Sequence, residues 1–148
     1  MEPLEITAAL CWKFEGYYAK PYQCPAGVWT YGVGATRDVN GMPVTPSTPP
    51  ISKEVAHDLL MRQLVGYQNG TLGACPILAA YPLKLAAITD FAYNLGLGRL
   101  KASTLRRRIN EGNWAEAAIE LMRWTRGGGR ELPGLVRRRA AERELLLT

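Results

Sequence analysis

The stretch that decides the fold is EGYYAKPYQCPAGVWTYGVG, which runs from Glu15 to Gly34. Gly16, a residue type that commonly ends a helix, stands at its start. The residues ahead of it recur at about helical spacing, as Ile6, Ala9, Leu10, Lys13 and Phe14. The sequence therefore predicts a helix from about Pro3 that ends at Glu15.

The residues after Gly16 change from a helical to an alternating pattern. Two alternating runs follow, around Tyr18, Lys20 and Tyr22 and then around Val28, Thr30 and Val33. The tripeptide Pro25-Ala26-Gly27 supplies a turn between them, which predicts a β-hairpin. Gly32 and Gly34 leave the backbone of the second run open to close approach by another group.

Glu15 is a candidate proton donor because of its position in the chain. At a helix C-terminus a carboxylate faces the negative end of the helix dipole, and neighbouring aromatic side chains exclude water. Both effects favour the protonated form of the carboxyl group at neutral pH. The alternative is a solvated glutamate at a helix end, which is the commoner fate of this residue type.

The length and charge of the chain limit the number of domains and the classes of binding partner that are possible. A chain of 148 residues fits one domain with a full hydrophobic core, and its formal net charge is +5. A basic surface suits nucleic acid, a membrane surface or another polyanion. The sequence has neither a run of about 18 apolar residues nor a signal peptide, so we expect a protein made in a cytosol without a stable membrane anchor.

The cysteines do not form a metal-binding pattern. Cys11, Cys24 and Cys75 are an odd number without a Cys-x-x-Cys pair, and His57 is the only histidine. These spacings argue against a structural zinc site. We expect three free thiols and no metal.

The rest of the chain predicts an α+β fold. Residues 38–50 read as an ordered loop, and residues 16–50 as a small antiparallel β lobe. The first helix and residues 51–148 form a helical lobe, with a cleft between the two lobes. In the helical lobe the sequence predicts a helix after Ser52, whose inward residues would be Val55, Leu59, Leu60, Leu64 and Tyr67. Further helices are predicted over Leu83 to Leu95, near Ser103, after a capping box at Asn113 to Glu116, and over Leu135 to Leu147. A loop is predicted at Gly127 to Gly129.

The arginine runs at 106–108 and 137–139 raise the possibility of nucleic-acid binding. Three neighbouring residues spread over most of a helix circumference, and glutamates interleave with both runs. We therefore expect solvated basic faces and no nucleic-acid interface.

Glu15, Cys24 and Thr30 are spaced as Glu-x8-Cys-x5-Thr, with Gly32-Val33-Gly34 behind them. This arrangement resembles the Glu-x8-Asp/Cys-x5-Thr pattern of the phage-type lysozymes, the endolysins of glycoside hydrolase family 24. Further blocks resemble the C-terminal lobe of that family in its order, at Phe91 to Gly96, Ser103 to Leu105, Arg123-Trp124 and Gly128 to Arg139. One position departs from the family, which commonly has histidine where this chain has Ala35, so any ion pair of that histidine is absent.

The resemblance implies a single lysozyme-like domain and an activity. The enzyme would be a muramidase that hydrolyses the β-1,4 bond between N-acetylmuramic acid and N-acetylglucosamine in peptidoglycan, lyses the host cell and needs no cofactor. Glu15 would protonate the glycosidic oxygen while Cys24 and Thr30 hold the attacking water, which is the inverting route. The substrate-binding residues would be Tyr22, Trp29, Tyr31, Gly32, Asn94 and Gly128.

The resemblance also carries expectations about the cell. The protein would be a monomer that is made in the host cytoplasm and reaches the cell wall through a separate holin. Two alternatives stay open: a thiol-dependent peptidoglycan amidase in which His57 activates Cys24, and an inactive module that binds peptidoglycan or nucleic acid.

Overall fold

The computed structural model describes residues 2–148 and consists of helices with two small antiparallel sheets. No helix in this range has the length and apolar character needed to cross a membrane. Its elements are α1 (Pro3–Glu15), β1 (Tyr18–Gln23), β2 (Trp29–Gly32), α2 (Lys53–Ala74), a 3-10 helix (Pro76–Ala80), α3 (Pro82–Leu95), α4 (Leu97–Ala102), α5 (Thr104–Asn110), α6 (Trp114–Leu121), β3 (Arg126–Gly127), β4 (Arg130–Glu131) and α7 (Pro133–Leu146).

The first helix and the first hairpin form as the sequence predicts. Gly16 follows α1 with a φ of 73°, and β1 pairs with β2 so that Tyr22 lies opposite Thr30. Between β2 and α2 the described chain makes only isolated bridges, which join Tyr31 to Ala35 and Arg37 to Pro43. The remainder of the segment up to α2 is a loop.

Two hydrophobic cores hold the molecule together. The first lies between α1, the hairpin and the N-terminal half of α2, and includes Cys11, Tyr31 and Leu60. The second surrounds α3, where every residue from Lys84 to Ala92 is buried. A helix that is apolar on nearly all faces suits this central position. Thus α3 forms the axis on which the other helices of the larger lobe pack.

The helix N-caps lie where the sequence predicts them, whereas the buried face of α2 differs from the prediction. Ser52, Ser103 and Asn113 accept hydrogen bonds from the third residue after each of them, as N-caps do. Val55, which we expected to lie in the core, is 43% exposed. The buried face of α2 lies one residue further round, at Ala56, Leu59, Leu60 and Leu64.

Two short elements were missed by the sequence analysis. Gly98, interpreted as a helix breaker, lies inside the short helix α4. The glycine loop at residues 127–129 is the turn of a second hairpin, in which Gly127 pairs with Arg130. A glycine is tolerated inside a helix at a cost of about 1 kcal/mol relative to alanine, so the pattern alone could not exclude α4.

Candidate active site

Glu15 is held in place from two sides of the chain. It is the last residue of α1, and its side chain is 20% exposed. A Cβ atom added to Gly34 would lie only 2.9 Å from both Cγ and Cδ of Glu15. Gly34 also has a φ of +73°, which favours glycine. The glycine is therefore required both by its own backbone and by the carboxyl group packed against it.

A guanidinium group from α7 contacts the Glu15 carboxyl group. Arg138 is 3% exposed, and its Nη1 atom forms an ion pair with Oε2 of Glu15. Its Nε and Nη2 atoms bind Oδ2 and Oδ1 of Asp90 at 2.9 and 2.8 Å. We expected only aromatic surroundings for Glu15, so this environment was predicted wrongly.

The prediction that the second arginine run is a solvated face is also wrong. Arg138 and Arg139 are both buried, and Arg139 lies 2.8 Å from Oε1 of Glu142. Arg139 Nη2 also donates to Oδ1 of Asn94 at 2.7 Å. Two residues of the run point toward α3 because the side chains of a helix spread around its axis.

The shared guanidinium stabilises the charge of Asp90. Burial alone would raise the pKa of this carboxyl group, but the charge of Arg138 and its hydrogen bonds to both carboxylate oxygens lower the pKa overall. Burial alone would lower the pKa of Arg138, but the neighbouring carboxylates Asp90 and Glu15 raise this pKa well above its usual value. Arg138 thus remains charged inside the molecule.

Tyr22, Cys24 and Thr30 share one face of the first hairpin. Tyr22 and Thr30 are cross-strand partners, and Cys24 comes two residues after Tyr22, so the alternation of a strand directs all three side chains to the same side. Burial, followed by the negative charge of Glu15, raises the pKa of Tyr22 to about 12. This face therefore lies near the Glu15 carboxyl group.

The other two predicted catalytic residues differ in exposure. Cys24 is a half-buried free thiol at the hairpin turn, where its backbone N–H donates to Val28 O at 2.9 Å. Thr30 is 4% exposed, and its hydroxyl group donates to the same carbonyl oxygen at 3.0 Å. With its proton engaged, the Thr30 oxygen can accept a hydrogen bond.

Two cavities lie close to Glu15. A cavity of about 1240 Å³ is lined by Glu15, Pro25, Asn94 and residues of α7. A second cavity, of about 430 Å³, lies beside Gly34 and is lined by Tyr67 and Tyr93 among others. Gly34, which lines the second cavity, packs directly on the Glu15 carboxyl group, which lines the first.

The residues predicted to bind substrate fall into two groups. Asn94 lines the cavity that contains Glu15. Because a guanidinium group can only donate hydrogen bonds, the Oδ1 atom of Asn94 faces Arg139, and the Nδ2 atom of Asn94 is left to donate elsewhere. Tyr22 lies close to the carboxyl group, as described above. Gly128 is exposed in the turn of the second hairpin and, within residues 2–148, is not part of the lining of either cavity.

Trp29, Tyr31 and Gly32 belong to the first core. Tyr31 is 2% exposed, and Trp29 packs against the same group of buried residues. Gly32 is buried beside Ala56, with a φ of +62°. The structure therefore does not offer the rings of Trp29 and Tyr31 as platforms for a sugar.

A different aromatic residue is exposed beside Tyr22. Tyr18 is 47% exposed, and the centroid of its ring lies 4.2 Å from that of Tyr22. Tyr18 is not among the residues that the sequence analysis predicts to bind substrate, although its side chain lies on the same side of β1 as that of Tyr22. Its exposed ring suits contact with the apolar face of a sugar.

His57 lies in a different environment from Cys24. Its Nδ1 atom accepts a hydrogen bond of 3.0 Å from Nε1 of Trp12, where α1 packs on α2. Between residues 2 and 148 no hydrogen bond joins His57 to Cys24. A thiol nucleophile needs a base within hydrogen-bond reach, so the amidase alternative finds no support here.

Comparisons with known proteins agree on one family. A family model described as "Phage lysozyme" matches residues 12–142. The chain is 36% identical over 135 residues to the endolysin of Bacillus phage B103, covering 91% of this chain and 50% of that protein. It is 31% identical over 137 residues to the endolysin of Acyrthosiphon pisum secondary endosymbiont phage 1, covering 90% of this chain and 89% of that protein. It thus spans half the length of the first relative and most of the second.

Solved structures give the same result for the fold. The muramidase domain of SpmX from Asticaccaulis excentricus is 27% identical, with a TM-score of 0.77 over 96% of this chain and 95% of that chain. A mutant of P22 lysozyme is 26% identical, with a TM-score of 0.73 over the same shares. The expected lysozyme-like α+β fold is confirmed.

Proposed function

The chain belongs to the phage lysozyme family, and we propose that it hydrolyses the β-1,4 bond between N-acetylmuramic acid and N-acetylglucosamine in bacterial peptidoglycan. The observation that carries this proposal is the position of Glu15, whose carboxyl group lines the larger cavity and lies near Tyr22 on the hairpin face shared with Cys24 and Thr30. A positioned carboxyl group in the wall of a large cavity suits cleavage of a bound glycan chain.

Glu15 is the proposed general acid. Arg138 fixes the carboxyl group by contacting Oε2, and Gly34 limits its movement on the other side. A glycan bound over Glu15 displaces the remaining water, and the protonated carboxyl group is the donor in this complex. The proton is then transferred to the glycosidic oxygen as the bond breaks.

The attacking water is proposed to lie on the hairpin face. The Thr30 oxygen accepts a hydrogen bond from this water, and the Cys24 thiol lies on the same face of the hairpin. Attack from this side, opposite the leaving group, inverts the configuration at the anomeric carbon. Tyr18, Tyr22 and the Nδ2 of Asn94 are proposed to contact the sugars.

The chemical identity of the products tests the proposal. Digestion of purified peptidoglycan is expected to create reducing ends on muramic acid without new free amino groups. Glu15→Gln is expected to abolish this release, because general-acid catalysis contributes roughly two to four orders of magnitude. Glu5→Gln, the same change at an exposed position of α1, serves as the control.

Three results would contradict the proposal. New amino groups would indicate an amidase. A folded Glu15→Gln protein that keeps more than a tenth of the wild-type rate would remove Glu15 as the acid, and a wild type that only binds walls would indicate an inactive binding module.

The expected cellular route remains a prediction. We propose that the protein is a monomer, is made in the host cytoplasm and reaches the wall after a separate holin opens the membrane. Expression in a bacterial host should cause lysis only when the membrane is permeabilised. Lysis on expression alone, without permeabilisation, would contradict this route.

A further inference from the structure

Asn94 is held by a buried arginine that lies behind the cleft. Asn94 is the penultimate residue of α3 and lines the larger cavity together with Glu15. Its Oδ1 atom accepts a hydrogen bond of 2.7 Å from Nη2 of Arg139, whose side chain has no exposed surface. This hydrogen bond joins the wall of the cavity to the interior of the larger lobe.

Arg139 is itself fixed from two further sides. Its Nη2 atom also donates to Oε2 of Glu142 at 2.9 Å, and its Nε atom lies 2.8 Å from Oε1 of the same residue. The guanidinium carbon lies 5.1 Å from the centroid of the buried Phe91 ring, which is within the range of a cation–π contact. Since Nη2 carries two hydrogens, one is used by Glu142 and the other by Asn94. The guanidinium group therefore has little freedom to turn away from Asn94.

The contact with Arg139 decides which end of the Asn94 amide is free. If the amide were reversed, its NH2 group would face the donor Nη2 and the hydrogen bond would be lost. Loss of a hydrogen bond to a charged group corresponds to roughly a tenfold to hundredfold change in an equilibrium constant, so the reversed orientation is a minor state. The Nδ2 group is thus directed away from Arg139, and between residues 2 and 148 it donates no hydrogen bond. It is left for a ligand in the cavity.

Neighbouring arginines of α7 act on two residues that lie one turn apart on α3. Arg138 binds Asp90 and Glu15, and the next residue, Arg139, binds Asn94. Asp90 and Asn94 are four residues apart and so lie on the same face of α3. The packing of α7 on α3 therefore fixes both the acid and an amide group in the wall of one cavity.

We propose that Arg139 is a positioning residue that keeps the Nδ2 group of Asn94 directed at the cavity, so that the cleft recognises a carbonyl oxygen of the substrate. This inference rests on the proposed function, because it assigns a partner for Asn94 within peptidoglycan. Peptidoglycan offers amide carbonyl oxygens in two places, the acetamido groups of its sugars and its peptide stems. A group that can only donate accepts a carbonyl oxygen and disfavours a cationic amino group at the same place.

A double substitution removes the positioning without leaving a buried charge. Arg139→Met with Glu142→Met replaces the pair by apolar side chains, an exchange that buried ion pairs often tolerate. The control is Arg108→Met with Glu111→Met, an exposed pair with the same spacing of three residues and an N–O distance of 2.9 Å. On intact soluble peptidoglycan fragments, kcat/KM should fall about tenfold in the first double variant, chiefly through KM, and should not change in the control.

The ratio of wild-type to variant kcat/KM is then measured on two altered substrates. It should approach one on N-deacetylated fragments where an acetamido carbonyl is the partner of Asn94, and on fragments freed of their peptide stems where a stem carbonyl is. Either result supports recognition of a carbonyl oxygen and identifies its source. A ratio that stays near tenfold on both altered substrates, or equal rates of the two double variants on intact fragments, would overturn the proposal.

NMR tests the positioning without reference to activity. The side-chain ¹H–¹⁵N signals of Asn94, assigned by their loss in Asn94→Ser, should show a rigid amide in the wild type and in the control. In the double variant of Arg139 and Glu142 the same amide should be mobile, as measured by ¹⁵N relaxation. Equal rigidity in all three folded proteins would overturn the positioning role. A wild type that shows this pattern but hydrolyses no peptidoglycan would instead contradict only the proposed function.

Discussion

Replacement of Arg138 by methionine should destabilise the protein strongly. Methionine fills much of the same space but removes the partners of both Asp90 oxygens, which are bound at 2.9 and 2.8 Å in the wild type. Asp90 has no exposed side-chain surface, so its charge would be left without compensation. Removal of one partner of a buried ion pair costs about 3–5 kcal/mol. For a chain of this length the midpoint of thermal unfolding should fall by about 10 °C.

The double variant Arg138→Met, Asp90→Asn separates charge from packing. Asparagine removes the unpaired charge, so this variant should regain much of the lost stability. It should remain almost inactive, because Glu15 has still lost its anchor. Arg62→Met, an exposed arginine of α2, provides the control and should change stability by less than about 0.5 kcal/mol.

The pH dependence gives an independent check on the same ion pair. The pKa of Asp90 is lowered by folding, so its contribution to stability is fully present above the unfolded value of about 3.9 and is lost as the pH falls through the folded pKa. The stability difference between wild type and Arg138→Met should therefore shrink in acid. The measurement is denaturant unfolding followed by tryptophan fluorescence. A loss below 1 kcal/mol at neutral pH, or no recovery in the double variant, would refute the reasoning.

Three further predictions concern the cleft and the basic surface. Gly34→Ala should lose most of its activity, because the added Cβ atom would displace Glu15. Gly41 has a similar φ of 78° but lies in open space, so the control Gly41→Ala should lose only the roughly 1–2 kcal/mol of stability that this backbone conformation costs. Equal activity in the two variants would exclude the contact. Cys24→Asp should keep or raise activity and Cys24→Ala should lower it, because a carboxylate accepts a hydrogen bond from water more strongly than a thiol group does. A folded but inactive Cys24→Asp protein would argue against a water-binding role. Because the chain carries a net charge of +5, the rate at which it clears whole cell walls should fall above about 0.1 M salt, whereas its rate of hydrolysis of short uncharged oligomers should not. An equal salt response on both substrates would exclude a contribution of the basic surface.

Features that depend on neighbouring residues were predictable from the sequence. The caps at Ser52 and Asn113 each need only a side chain and a backbone N–H three residues on, so the local pattern is sufficient. The end of α1 at Glu15 and the first hairpin are of the same kind. The placement of Glu15 beside the face of Cys24 and Thr30 follows from these local elements.

The ion pair with Arg138 depends on residues 123 positions apart, and no local pattern reports such a contact. A signal existed nevertheless. Asp90 lies within a largely apolar helix, and a buried carboxylate needs a cationic partner. The only remaining question was which arginine supplies it, and that is decided by how α7 packs on α3.

The misplacement of Trp29 and Tyr31 had a signal as well. In a strand, neighbouring side chains point to opposite faces. If Thr30 faces the cleft, its two neighbours must face the other way, and in this chain that other side is the first core. The alternation rule was sufficient to exclude these two residues, whereas their aromatic character favoured including them.

The anchoring of Glu15 by α7 bears on how the protein is synthesised. A ribosome makes the chain from the N-terminus, so Glu15 is made 123 residues before Arg138. Until α7 has been synthesised and has docked, the Glu15 carboxyl group has no guanidinium group to orient it. On the proposed role of Glu15, competence to cut a glycan is acquired only after that step.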